Sequence, residues 1–218
     1  MASNANKERC RLVLSLPQSL MMGFDIEVVR QALQAGDVAS IIVPRFELGE
    51  QAYQKALEAI MAEASGTQAA IMAVDDTQLA GRAGVDGIHI TGSQPVLEEA
   101  IEKFGNQMMV GCGGVNTRHD ALRRGEADPA YIYFGRFEKD LKPEPHSKNL
   151  EIATWWAQMV AIPCIVMGGN DVETIGQAAE TGADFVALSH AVFGEGKSVG
   201  DAVARANTLL EPFLFNDA

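Results

Sequence analysis

Short apolar runs recur along the chain. They lie at Leu12 to Leu16, Ala39 to Val43, Ala69 to Val74, Gly87 to Ile90, Met108 to Gly111, Tyr131 to Phe134, Cys164 to Met167 and Phe185 to Leu188. Each is too short for a helix and apolar enough for a strand buried on both faces. Between them the apolar positions recur three and four apart. Ile26 to Ala35 is closed by Gly36, and Glu50 to Ala64 carries Ala52, Leu57, Ile60 and Met61 on one face. A short helix is expected over Gln78 to Ala83. Pro95 opens another with Val96, Leu97, Ala100 and Ile101, and Asn116 or Thr117 can cap a third that runs to Arg124. Further helices run through Trp155 and Trp156 and over Val199 to Leu210. Eight strand–helix units result, which is the pattern of an α/β chain folded as a (β/α)8 TIM barrel. One domain is expected over 1–218, with a loose segment at Met1 to Glu8. The rhyme of GVDGIHI at Gly84 with GADFVAL at Gly182 marks two copies of the same helix-to-strand turn.

The stretch from Ile162 to Gly194 is the most informative. After the strand ending at Met167, Gly168 and Gly169 permit tight backbone angles and close approach to a ligand. Asn170 and Glu173 have capping-box spacing, and Val172, Ile175, Ala178 and Ala179 form an apolar stripe that Gly182 ends. The next strand ends at Leu188, and Ser189 begins a short helical segment. Two adjacent strand ends that present backbone amides predict a phosphate site at Gly168, Gly169, Leu188 and Ser189. Two turns without a ligand are the alternative.

The net charge of −12 argues against nucleic acid or an acidic membrane surface as partner. Cys10, Cys112 and Cys164 are odd in number and scattered, which suits a reducing cytoplasm and neither disulfide nor zinc. Asp75 and Asp76, leaving their strand together, could hold Mg2+ or cap the following helix. Arg45 could clamp a phosphate or sit in a surface ion pair. His89 reads as a hydrogen-bonded core histidine, and Cys112 as a small wall residue unless a base lies near it. The long segment GRFEKDLKPEPHSKN, with Arg136, Lys139, Lys142 and Lys148, reads as a lid over an anion.

Four places carry a family resemblance: VDD followed eleven residues later by GIHI, VGC, YIYFG, and IPCIVMGGNDVETIGQAAETGADFVALSHAVFG. Over nearly the whole chain these resemble the thiamine phosphate synthase family and its thiazole tautomerase relatives. The resemblance implies a barrel that couples hydroxymethylpyrimidine diphosphate to thiazole phosphate with release of diphosphate. It implies Mg2+ on Asp75, Arg45 and Lys142 at the departing diphosphate, Cys112 close to the pyrimidine, and the thiazole phosphate on Gly168, Gly169, Leu188 and Ser189. The implied partner is a small phosphorylated heterocycle, with a homodimer left open as an assembly.

The chain departs from the family pattern on one side. Val43 and Glu47 stand where the family has glutamine and lysine, and Val74 replaces an asparagine before Asp75. Ser93 and Gln94 stand where a second metal carboxylate is expected, and FEKDLKP replaces a threonine-rich lid, with Lys142 approximating its lysine. Arg136 and Phe137 leave no histidine of the tautomerase kind after Gly135. The thiazole-phosphate half is thus expected to be the better kept. A non-catalytic or regulatory phosphate-ligand binder, and a different isomerase of phosphorylated heterocycles, stand as alternatives.

Overall fold

The structure, a computed structural model, describes residues 10–213. The expected loose segment Met1 to Glu8 lies outside the described residues. In chain order the elements are β1 (Arg11–Ser15), α1 (Gln18–Met22), α2 (Ile26–Ala35), β2 (Ser40–Val43), α3 (Glu50–Ala64), β3 (Ala70–Val74), α4 (Thr77–Ala83) and β4 (Gly87–Ile90). They continue with α5 (Gln94–Phe104), β5 (Met109–Cys112), α6 (Arg118–Gly125), β6 (Ile132–Phe134), α7 (Ser147–Met159) and β7 (Cys164–Met167). A 3-10 turn (Val172–Thr174) then leads to α8 (Ile175–Ala179), β8 (Phe185–Leu188), α9 (His190–Phe193) and α10 (Val199–Leu210). The eight strands close into a parallel barrel in sequence order, with β8 pairing back onto β1. The (β/α)8 expectation holds. The short helix α1 was not foreseen, because Pro17 reads in sequence as a simple break.

Two apolar layers divide the core. Val13, Ile42, Met72, Tyr133, Ile165 and Ala187 fill the barrel, while the alternate residues, such as Leu14, Ile41, Val43, Ile88 and Cys112, pack outward against the helices. This alternation follows from the pleat, which sends successive side chains to opposite faces. Val43 therefore belongs to the outer packing layer rather than to the barrel mouth, which corrects its reading as a lost polar partner of the ligand. Its carbonyl accepts a hydrogen bond from the buried Tyr53 hydroxyl at 2.6 Å, and the same hydroxyl accepts from the Val74 amide at 3.1 Å.

The two rhyming segments make the same turn. Gly84 and Gly182 have φ of +67° and +80°, a left-handed conformation that costs glycine nothing. The aspartate that follows each plays the same part: Asp86 Oδ2 accepts from the Ile71 amide and Asp184 Oδ2 from the Cys164 amide, both at 2.8 Å. The helix caps follow the sequence less closely. Thr117 caps α6, as one of the two expected choices, but after β7 the cap is Asp171 accepting from the Glu173 amide, not Asn170.

Candidate functional site

The loops at the C-terminal strand ends form the mouth of the barrel, and backbone strain gathers there. Among the described residues, Phe46, Asp75, Asp128 and Glu138 are the non-glycine residues with positive φ, and all but Asp128 lie at this end. Pro44, Arg45, Phe46, Val74, Asp75, Asp76, Thr91 and Phe137 line a cavity of about 350 Å³. The two neighbouring carboxylates diverge. Asp76 is tied into the fold: Oδ1 accepts from the Leu79 amide at 3.0 Å as the cap of α4, and Oδ2 accepts from Arg45 Nη1 at 2.9 Å. Arg45 also donates through Nε to the Leu48 carbonyl at 2.9 Å. Asp75 is exposed, with φ +56°, and Thr91 holds it at both oxygens: the Thr91 amide donates to Oδ1 at 2.7 Å and the Thr91 hydroxyl donates to Oδ2.

Of the two, Asp75 is thus the carboxylate exposed at the cavity and unpaired with a cation. Mg2+ is commonly held by one or two carboxylates with water and substrate phosphate completing the shell. Among the described residues no group of three or more His, Cys, Asp or Glu could hold a metal ion. Gln94, at the place of the expected second carboxylate, turns away: its Nε2 donates to the Arg123 carbonyl at 2.8 Å and to Glu98 Oε1 at 2.9 Å. The donor set fits an ion brought largely by a diphosphate and held to the protein through Asp75.

Across the mouth, Gly168, Gly169, Leu188 and Ser189 come together as expected. A Cβ on Gly168 would lie 2.6 Å from Leu188 Cδ2. The Gly168 amide donates to the Ala187 carbonyl at 2.9 Å, and the amides that follow these residues are met by the chain itself. Asp140, with its side chain 1% exposed, places Oδ2 2.7 Å from the His190 amide and Oδ1 2.8 Å from His190 Nδ1. A second loop carboxylate, Glu138, accepts from the Gln18 amide at the start of α1 at 2.9 Å. The loop backbone packs just as closely. Lys142 and Pro143 offer their carbonyls to the amides of Asn170 and Asp171 at 2.8 and 3.3 Å, and a Cβ on Gly169 would lie 1.9 Å from the Pro143 carbonyl oxygen. Glycine at 169 is therefore required by the loop rather than by an open ligand cradle.

Below Phe137 the barrel holds an aromatic cluster. His89 Nδ1 lies 2.9 Å from the Tyr131 hydroxyl, and the His89 ring meets Tyr133 and Phe137 edge-on at centroid distances of 5.5 and 5.4 Å. Complete burial, with the Arg124 charge adding to it, pushes the His89 pKa down to about 3. The reading as a core histidine holds. Cys112 is fully buried on the helix side of β5, and burial pushes its thiol up to about 12, so the structure does not bring it to the mouth as a reactive group.

Arg45 and Asp75 therefore meet at one cavity. Lys142 lies exposed on another, beside Arg136, Lys139 and Lys148. Sequence reasoning missed Thr91, which a threonine directly after GIHI could have signalled, and the two loop acids Glu138 and Asp140, which the surrounding lysines obscured.

A family model described as thiamine monophosphate synthase matches residues 17–192. The thiamine-phosphate synthase of Rhodospirillum centenum is 31% identical over 202 residues, covering 92% of this chain and 98% of that protein. That of Hyphomonas neptunium is 28% identical over 215 residues, covering 94% and 96%. Among solved structures, thiamine phosphate pyrophosphorylase from Pyrococcus furiosus is similar with a TM-score of 0.79 at 20% identity, over 94% of this chain and 98% of that one. A 3-hexulose-6-phosphate synthase is similar with a TM-score of 0.68 at 15% identity, over 92% and 99%. At such identities the structures speak for the barrel alone, whereas the family match and the near full-length relatives show descent: the chain belongs to the thiamine monophosphate synthase family.

Proposed function

We propose that the protein is a thiamine-phosphate synthase, joining hydroxymethylpyrimidine diphosphate to thiazole phosphate with release of diphosphate, in the cytoplasm. What carries the reading is the convergence of Arg45 and Asp75 on one mouth cavity, in a chain kin to thiamine-phosphate synthases over nearly its whole length. The cavity has apolar walls in Val74, Phe46 and Phe137, suited to a flat heteroaromatic ring, and a charged end in Arg45 and Asp75. In the reaction the C–O bond to diphosphate breaks and the bonding pair leaves with it, while the thiazole nitrogen supplies the pair for the new C–N bond. Negative charge thus grows on the leaving group. Arg45 would meet that charge, a contribution of roughly 3–4 kcal/mol for one well-aimed donor. Mg2+ on Asp75, bound with the diphosphate, would neutralise part of the same charge, and Thr91 fixes the orientation of that carboxylate.

The test is an assay of purified protein with both substrates and Mg2+, reading thiamine phosphate by chromatography. Product that depends on Asp75 and Arg45 supports the reading. No product, with each substrate still bound in calorimetry, favours a non-catalytic binder. One observation favours that second reading: the Asp140 carboxylate holds the His190 amide, next to Ser189 where the thiazole phosphate is expected, so a phosphate that reaches that amide has to displace the loop.

A further inference from the structure

Arg124 stands in the last turn of α6 with 9% of its surface exposed, and among the described residues it has no carboxylate partner. Its charge lies near the buried His89 ring and Cys112 thiol instead. Nη1 is buried without a partner, and Nη2 donates to the Gly92 carbonyl at 2.6 Å. A guanidinium taken out of water in this way costs stability, and one neutral carbonyl offsets only part of the loss. An apolar side chain of similar length would pack there without that loss. The bond to Gly92 is therefore the feature that sets the arginine apart from such a side chain.

That bond lands one residue from the group that holds Asp75. Thr91 donates to both oxygens of Asp75, yet both residues are exposed, where water competes for each bond. Asp75 also has φ +56°, a conformation that an aspartate keeps only where its surroundings impose it. The restraint comes from the next strand–helix unit. The Ile90 carbonyl, before Thr91, accepts from the Gly113 amide at 2.9 Å, and the Gly92 carbonyl, after it, accepts from Arg124. The Thr91 carbonyl itself lies against Gly114, where a Cβ would come within 3.0 Å of it. Ser93 gives α5 no side-chain cap, and the start of that helix is held from α6 as well, through Gln94 Nε2 and the Arg123 carbonyl at 2.8 Å. Thr91 is thus fixed by peptide groups on both sides of it, and Arg124 is the α6 side chain that fixes one of them.

We infer that Arg124 is a positioning residue: by holding the Gly92 carbonyl it fixes Thr91, and through Thr91 the direction in which the Asp75 carboxylate faces the mouth cavity. That Asp75 meets Mg2+ with a diphosphate rests on the synthase reading; the line of bonds from Arg124 to Asp75 does not. A group that orients a metal-binding side chain from behind changes metal affinity by roughly ten- to a hundredfold.

The experiment compares the full chain with Arg124→Met, which removes the donors and keeps an apolar stem, and with Arg124→Lys, which keeps one donor. Amide hydrogen exchange is read at Thr91 without ligand, and inorganic diphosphate is titrated calorimetrically with and without Mg2+. Arg124→Met is expected to speed exchange at Thr91 while the amides of β2 and β8 stay as protected as in the wild type. The gain in diphosphate affinity that Mg2+ brings should fall by roughly tenfold, with the affinity measured without Mg2+ unchanged, and Arg124→Lys should recover most of both effects. An arginine that only fills space would move neither Thr91 alone nor the Mg2+ gain alone. The inference is overturned by Thr91 exchange in Arg124→Met within about twofold of the wild type, by equal acceleration across the barrel, by an undiminished Mg2+ gain, or by a lysine variant no better than the methionine one. Wild-type diphosphate binding that ignores Mg2+ sinks the metal reading of Asp75, and Thr91 exchange then decides the role of Arg124 by itself. A protein that shows all the expected effects yet forms no thiamine phosphate keeps the positioning role and loses only the synthase reading.

Discussion

Asp140 engages both nitrogen donors on one side of His190, its carboxylate oxygens lying 2.7 Å from the backbone amide and 2.8 Å from Nδ1. An anion is thereby present at the start of α9 before any ligand arrives. A phosphate that seeks the same amide must first displace it.

Asp140→Ala should therefore open the strand-end site. Crystals of the variant soaked with sulfate are expected to show the ion at the Ser189 and His190 amides, and wild-type crystals are not. Removing a charge-assisted bond should also lower stability by about 1.5–3 kcal/mol, read from denaturant midpoints. A variant that still excludes the ion would show that the loop backbone, not the carboxylate, closes the site.

Gly169→Ala tests the backbone contact directly. Its methyl would lie 1.9 Å from the Pro143 carbonyl oxygen, so the loop has to lift. A cost of about 1–3 kcal/mol is expected, concentrated in the loop. Hydrogen exchange should speed up at the Asn170 and Asp171 amides, which now bond to Lys142 and Pro143, while the β1 and β2 amides stay protected. Uniform loss of protection would instead mean that the loop and the barrel open as one unit.

The two aspartates should separate cleanly. Asp76→Ala loses the α4 cap and the Arg45 ion pair, and a stability loss of about 1 kcal/mol is expected with the response to Mg2+ intact. Asp75→Asn should fold as the wild type does and lose the Mg2+ response of substrate binding. Titrating Mg2+ against both variants with the diphosphate substrate present decides it, and the reverse outcome overturns the assignment.

His89 predicts an acid limb in stability. Its folded pKa is about 3 against the ordinary 6.5 of a histidine, so between these values the unfolded chain takes up the extra proton. Stability should fall as pH drops below about 6.5, by up to about 1.4 kcal/mol per pH unit from this group. Tyr131, Tyr133, Phe137 and Arg124 surround it, and none supplies a negative charge to offset protonation. Urea midpoints from pH 4.5 to 7.5, for wild type and His89→Gln, should differ in slope; parallel curves would assign the limb to the carboxylates.

The barrel was legible because strands buried on both faces read as short apolar runs. The same property hides which face is which. Val43 and Ile42 are equally apolar, and only the pairing of β2 with its neighbours sends Ile42 inward and Val43 out to Tyr53. Cys112 was open to misplacement for that reason. The location of Arg45 and Asp75 at the mouth was legible because they follow strand ends, where side-chain position hardly depends on tertiary detail. Asp140 was not, since the direction of a carboxylate in a long loop depends on where that loop lands, and the lysines around it drew the reading toward an anion that the chain partly supplies itself.

The Tyr53 hydroxyl reaches from α3 to the Val43 carbonyl and the Val74 amide, at the last residues of β2 and β3. Arg45 and Asp75 project from the residues just beyond. The two strand ends that carry the guanidinium and the carboxylate are thus bridged by one phenol oxygen held from outside the sheet. A helix residue that does not line the mouth cavity ties together the strands behind it, and Tyr53→Phe would remove both bonds without altering any residue of the lining.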